Sequence, residues 1–290
     1  MKVLVTGTSA GIGRATAELF LERGHEVWGF DVQAATLTHP GYTHHVVDVR
    51  RPQDFPAGIK PEIIINNAGV QDSSDDLGVN LRGTINVTEF YAFGRRASDG
   101  WGTGTSALLA KPAPQVRAVI NVGSASGHTG SEFPEYAASK GGVIAYTKNV
   151  AGRLAPQGTC NSIDPGGVLT PLNQCVMDDP KLWGRIMDLT PMRRWATAEE
   201  IAEWIYFVAV TNHFMTGQNL LIDGGEAGRS EFIWPEELAE GPRTRVRGPS
   251  RTKTHLRLRL NSGPRVARRF WQRLPSWQKP KRGGYSATQN

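Results

Sequence analysis

The run Val3-Leu4-Val5 feeds directly into Thr6-Gly7-Thr8-Ser9-Ala10-Gly11-Ile12-Gly13, and that turn feeds directly into an amphipathic stretch. Few features restrict a fold more. Glycine at these places lets the backbone turn sharply and lets other groups approach where a Cβ would otherwise stand. Strand, glycine turn and helix in this order form the opening of a βαβ unit. The helix is expected over 11–23, with Ile12, Ala15, Leu19 and Phe20 on its apolar side and Gly24 just past its end.

The alternation continues along the chain. Further strands are expected at 25–30, 44–49, 62–67, 118–122, 159–163 and 219–222, and further helices at 79–93, 135–154 and 198–210. Strands alternating with helices imply an α/β fold with a doubly wound parallel sheet and helices on both faces. Two stretches break the rhythm. Residues 96–115 carry Gly100, Gly102, Gly104, Pro112 and Pro114 and read as an inserted loop. Lying between a helix and the start of a strand, that loop is expected to face away from the ligand crevice. Residues 229–290 read as a C-terminal extension to a main domain spanning 1–228, basic and disordered from 241 onward.

Charge separates these parts. Residues 241–290 hold 14 Lys and Arg and no acid, which leaves 19 basic against 27 acidic residues in 1–240. The net +6 of the whole chain therefore hides an acidic body, which argues against a nucleic-acid role for it. The tail, with Arg265, Arg268, Arg269, Phe270, Trp271, Arg273 and Trp277, mixes cations and aromatics. Binding of nucleic acid or an anionic membrane surface is the reading from another functional class, and a plain extension is preferred over it. Two cysteines, Cys160 and Cys175, supply no disulfide framework and no metal cluster, so a metal-free protein of the reducing cytoplasm is expected. No signal peptide and no apolar run of membrane-spanning length is read from the sequence.

A glycine turn opening a helix can take a pyrophosphate, because free N–H groups and the positive end of the helix dipole meet there. Asp31 ends the second strand, 18 residues after Gly13. A carboxylate at that place accepts hydrogen bonds from a ribose diol and repels a 2′-phosphate. Neither Val32 nor the turn residues offer a basic group for such a phosphate, so NAD(H) is expected over NADP(H). Tyr136 and Lys140 are spaced i and i+4 and share one helix face. A free phenol titrates near ~10, and a neighbouring ammonium favours its ionised form, so the pair can move a proton near neutrality.

These residues together resemble the short-chain dehydrogenase/reductase family. The resemblance rests on Thr6-Gly7-x-x-x-Gly11-x-Gly13, Asn66-Asn67-Ala68-Gly69 and Tyr136-x-x-x-Lys140, followed by Pro165-Gly166-Gly167-Val168-Leu169-Thr170 and Thr216-Gly217-Gln218…Asp223-Gly224-Gly225. It covers about residues 1–225 in the family's motif order. It implies a Rossmann-type sheet, hydride transfer without metal, and a homo-tetramer or homo-dimer. By resemblance the cofactor would meet Gly7, Ser9, Gly11, Ile12, Gly13 and Asp31, with Asp48 and Val49 at the adenine. Asn67, Ala68 and Gly69 would flank the adenosine ribose, and Pro165, Gly166, Val168 and Thr170 the carboxamide, with Tyr136 and Lys140 also touching the cofactor. A catalytic tetrad would comprise Asn80, Ser124, Tyr136 and Lys140. Ser124, 12 residues before Tyr136, is preferred to Ser126 as the group that holds the substrate oxygen. Asn80 would bind a water linking Lys140 to solvent.

Substrate contacts are expected from Ser126, His128, Leu172 and Trp183, with Phe133, Gln174, Met177 and Met187 nearby, a wall suited to a bulky hydrophobic alcohol. Only ten residues separate Gly69 from Asn80, and 48–62 is also short. The helix that normally fills these regions must be truncated, as in bacterial 3α-hydroxysteroid dehydrogenase/carbonyl reductases. A hydroxysteroid or other hydrophobic carbonyl compound is therefore the favoured substrate class, with 3-oxoacyl-(acyl-carrier-protein) reductase as the rival.

Overall fold

The computed structural model describes residues 1–95, 109–131 and 133–228. Most of the expected inserted loop and the whole basic tail lie outside the described residues. The strands are β1 (Lys2–Thr6), β2 (Glu26–Asp31), β3 (Tyr42–Val46), β4 (Ile63–Asn66), β5 (Ala118–Val122), β6 (Thr159–Pro165), β7 (Val168–Leu169), β8 (Ala196–Thr197) and β9 (Asn219–Ile222). Seven of them form one sheet in the order β3-β2-β1-β4-β5-β6-β9, every neighbouring pair parallel. This is the expected doubly wound Rossmann-type sheet, with its order reversing between β1 and β4.

Alternation of side chains explains why the strands read as unbroken apolar runs. Val3, Val5, Ile63, Ile65, Ile120 and Ile163 face one side, where they pack with Phe20 and Leu21 of α1 (Gly11–Glu22). Ile201 and Ile205, in Ala198–Tyr206, join them there. Leu4, Ile64 and Val119 face the other side, against Val87 and Tyr91 of α2 (Thr84–Phe93). A strand covered on both faces buries both sets of side chains, so its pattern loses the period of two, and polar residues held there, such as Asn66 and Asn121, hydrogen-bond to one another.

Three local departures matter for the site. The expected helix 79–93 is two elements, a π-helical segment Leu77–Gly83 followed by α2. Similarly, the expected helix 198–210 ends in a π-helical Phe207–Thr211. The β3–β4 connection holds only a 3₁₀ turn, Pro52–Asp54, in keeping with the short 48–62 spacing. Beyond β5 come α3 (Ala125–Thr129) and the long α4 (Pro134–Leu154), which starts with Pro at its first position and buries Ala137, Lys140, Val143, Thr147, Val150 and Leu154. That i, i+3, i+4 spacing places Lys140 on the sheet side. Arg153 clamps α4 to α2 through the buried Glu89, with Nη1 to Oε1 at 2.6 Å and Nη2 to Oε2 at 3.0 Å. Two short helices, α5 (Gln174–Met177) and α6 (Pro180–Leu189), and then α7 (Ala198–Tyr206) complete the described order. No described helix is long and apolar enough to cross a membrane.

Candidate active site

The glycine turn is held by backbone geometry. Gly7 and Gly11 have φ of 76° and 55°, in the left-handed region. A Cβ on Gly13 would collide with the Gly7 carbonyl and with Asn67 Nδ2. The turn is tied to the end of β4. Asn67 Nδ2 donates to the Thr6 carbonyl at 3.0 Å, while the Asn67 and Ala68 N–H groups donate to Thr6 Oγ1 at 3.0 and 2.9 Å. Asn67 thus positions the turn with its side chain. At the start of α1, Ala10 gives no side-chain cap and the first turn carries no acid. The free N–H groups and positive dipole of that helix end are left for an anion, so the residues present fit a bound pyrophosphate.

Asp31 is pinned beside this turn. Its Oδ2 accepts from Ser9 N–H and its Oδ1 from Gln33 N–H, both at 2.9 Å. A cavity of ≈ 660 Å³ runs from Gly7, Ser9, Gly11 and Ile12 past Asp31 to Asp48, Val49, Asn67, Ala68 and Gly69. Arg50, which the sequence reading missed, also lines it. Its guanidinium is spent on two carboxylates, with Nη2 on Asp48 Oδ2 at 2.7 Å and Nη1 on Asp75 Oδ2 at 3.0 Å. Asp48 therefore lines the cavity as one half of an ion pair, and Arg50 holds its carboxyl below the ordinary carboxylate range. The Asp-x-Arg spacing was the available signal for this pair.

A second cavity, of ≈ 480 Å³, is lined by Ser124, Tyr136, Lys140, Pro165, Gly166, Val168 and Thr170, together with Phe133, Val176, Leu182, Ile186 and Trp195. Both cavities share Ile12, Gly69, Val70, Thr170 and Leu172. Ser124, Tyr136 and Lys140 thus open onto the far end of the first cavity. Each volume lies within the range of small-molecule sites. Lys140 Nζ donates to the Val122 carbonyl at 2.9 Å and stands 5.7 Å from the centre of the Tyr136 ring. Burial brings its pKa down to about 8, against the opposing charges of Asp164 and Asp76. Ser124 caps α3, its Oγ accepting from Ser126 N–H at 3.1 Å.

Asn80 lies in the π-helical segment and clasps two parts of the site. Its Oδ1 accepts from Val70 N–H at 2.8 Å, and its Nδ2 donates to the Val70 carbonyl at 2.9 Å and to Ser139 Oγ at 3.0 Å. Its side chain thereby ties the segment after β4 to Ser139 of α4. Of the four expected substrate contacts, only Leu172 lines this second cavity. Ser126 is 2% exposed and lies inside α3. His128 turns away to Asp164, with Nε2 and Oδ2 at 2.6 Å. Trp183 packs edge-on against Trp195, ring centres 4.9 Å apart, and Trp195 takes the place at the wall. Glu226 also lines this cavity and was not foreseen; its carboxylate accepts from Thr190 Oγ1.

The family described as enoyl-(acyl carrier protein) reductase matches residues 7–226. The 3-oxoacyl-(acyl-carrier-protein) reductase FabG of Vibrio harveyi is 31% identical over 246 residues, 77% of this chain and 95% of that protein. The 2-(R)-hydroxypropyl-CoM dehydrogenase of Xanthobacter autotrophicus is 31% identical over 247 residues, 76% of this chain and 96% of that protein. Among solved structures, the ligand-free aldohexose dehydrogenase of Thermoplasma acidophilum superposes with a TM-score of 0.65 at 28% identity, covering 81% of this chain and 97% of that one. The chain belongs to the short-chain dehydrogenase/reductase family. It is an oxidoreductase of that family, which uses a nicotinamide cofactor.

Proposed function

We propose that this chain is an NAD(H)-dependent enzyme that moves a hydride reversibly between a hydrophobic secondary alcohol and the matching ketone. The observation that supports this most is the placing of Ser124, Tyr136 and Lys140 on one cavity wall that meets the cofactor cleft. The nicotinamide, when bound, supplies the hydride acceptor or donor. Ser124 Oγ donates to the substrate oxygen and fixes its position. Tyr136 takes the alcohol's proton during oxidation and returns it during reduction. The Lys140 ammonium favours the Tyr136 phenolate, and Asn80 fixes the segment after β4 against the first turns of α4.

Asp31 supports NAD(H). Its carboxylate is oriented by two backbone donors, and an adenosine 2′-phosphate beside it would meet like charge. Arg50, the cation in that cleft, is already neutralised by Asp48 and Asp75. The wall of Phe133, Leu172, Val176, Leu182, Ile186 and Trp195 supports an apolar substrate, a hydroxysteroid or other hydrophobic carbonyl compound. A homo-dimer or homo-tetramer and a cytoplasmic setting belong to the same reading. Reduced-cofactor absorbance, followed with a panel of hydroxysteroids, 3-oxoacyl thioesters and simple ketones, tests it. The expected result is turnover of the apolar alcohols and ketones, with kcat/KM for NADH about tenfold or more above that for NADPH. Preference for 3-oxoacyl thioesters with NADPH would replace it with the acyl-carrier-protein reductase reading.

A further inference from the structure

Behind the wall of the substrate cavity lies a buried acid that neither the catalytic tetrad nor the cofactor site uses. Asp164 on β6 is 0% exposed. One of its oxygens meets His128 Nε2 at 2.6 Å, and the other, Oδ1, is buried without a hydrogen-bond partner. Leaving a carboxylate oxygen unsatisfied in a dry site is costly unless a nearby positive charge offsets it. The free oxygen is packed against Gly123, where any Cβ would strike it. Gly123 sits between Val122, whose carbonyl accepts a hydrogen bond from Lys140 Nζ at 2.9 Å, and Ser124. The absence of a side chain at Gly123 therefore admits the Asp164 carboxylate directly beneath the catalytic turn.

The charged groups around Lys140 can be compared. Asp76, ahead of the π-helical segment, is 1% exposed and its Oδ1 is occupied by Ser73 N–H and Oγ. Tyr136 shares the helix of Lys140, and His128 reaches from α3 only as far as Asp164. The charge of Asp164 opposes the effect of burial on Lys140 more strongly than that of Asp76 does. Burial also pushes the Asp164 carboxyl up from its ordinary value, and the His128 hydrogen bond, followed by the Ser162 side chain and the His128 and Lys140 charges, holds it down.

Building on the dehydrogenase reading above, we propose that Asp164, held by His128, is a positioning residue that keeps Lys140 charged and thereby sets the pH at which Tyr136 accepts a proton. Asp164→Asn removes the charge and retains the shape. His128→Ala removes the partner and leaves the buried carboxyl to take up a proton, which has the same consequence for Lys140.

The test reads Tyr136 itself. Near-ultraviolet phenolate absorbance is titrated in the full-length protein and in each variant, with the matching Tyr136→Phe protein subtracted. In both variants the Tyr136 phenolate is expected to form about one pH unit or more higher than in the unaltered protein, with NADH binding unchanged. An unmoved titration in a folded Asp164→Asn protein overturns the proposal. If that variant does not fold, the same result in His128→Ala overturns it. Failure of the dehydrogenase reading is separate and visible, as a panel in which no alcohol or ketone is turned over with either cofactor.

Discussion

The two cavities that meet at Gly69 and Thr170 are built in different ways. The cofactor cleft is made of strand ends and turns, fixed by main-chain hydrogen bonds such as Ser9 N–H to Asp31 and Ala68 N–H to Thr6. Its tolerances are set by atoms that are missing, since Gly13 has no room for a Cβ. The substrate cavity is closed on its outer side by side chains from α5 and α6, two helices in which no residue is buried. Leu182 and Ile186, one turn apart on α6, present their apolar surface to the cavity. A site made from backbone accepts one ligand shape, because moving any wall breaks sheet or turn. A site made from exposed side chains on short helices can change its ligand without disturbing the fold. The three named relatives fit that division, since their own names concern an acyl-carrier-protein substrate, a coenzyme M conjugate and an aldohexose.

Variants can probe this contrast at its seam and on either side. Tyr136→Phe stands at the seam and has the largest expected effect, a loss of about 10²–10⁴-fold in kcat with NADH binding retained, read by steady-state rates and cofactor fluorescence. On the cofactor side, Gly13→Ala forces the turn and Asn67 apart. Cofactor affinity is expected to fall by about tenfold or more, together with a thermal destabilisation of about 1–3 kcal/mol, measured by NADH titration and melting. On the substrate side, Leu182→Ala is expected to raise KM by only a few-fold, about 1 kcal/mol, and to leave the melting temperature nearly unchanged, because Leu182 is 39% exposed. A large loss of stability from Leu182→Ala, or none from Gly13→Ala, would erase the distinction.

The same contrast explains what could be read from the chain alone. Features imposed by backbone leave fixed spacings, and those were legible: the turn at Gly7–Gly13, Asp31 at the end of β2, and Tyr136 and Lys140 one helical turn apart. The sheet was legible for a related reason, as unbroken apolar runs mark strands covered on both faces. Trp195 and Glu226 were not, because they arrive from segments far along the chain and no local period announces them. Their trace lies elsewhere, in Gly167, which must lack a side chain to accommodate the Trp195 ring, and in the Thr190–Glu226 hydrogen bond. The partner of His128 was hidden too, because Asp164 lies in a buried strand far along the chain. The π-helical geometry at Leu77–Gly83 escaped too, since one extra residue in a turn leaves the apolar pattern of a helix almost intact.

Ile12, Gly69, Val70, Thr170 and Leu172 belong to both cavities, and this shared boundary has a thermodynamic consequence. A molecule in the cofactor cleft completes the floor of the neighbouring cavity, and a molecule there covers one side of the cleft. Neither ligand then binds as if alone. Whatever factor the cofactor applies to the affinity for substrate, the substrate must apply to the affinity for cofactor.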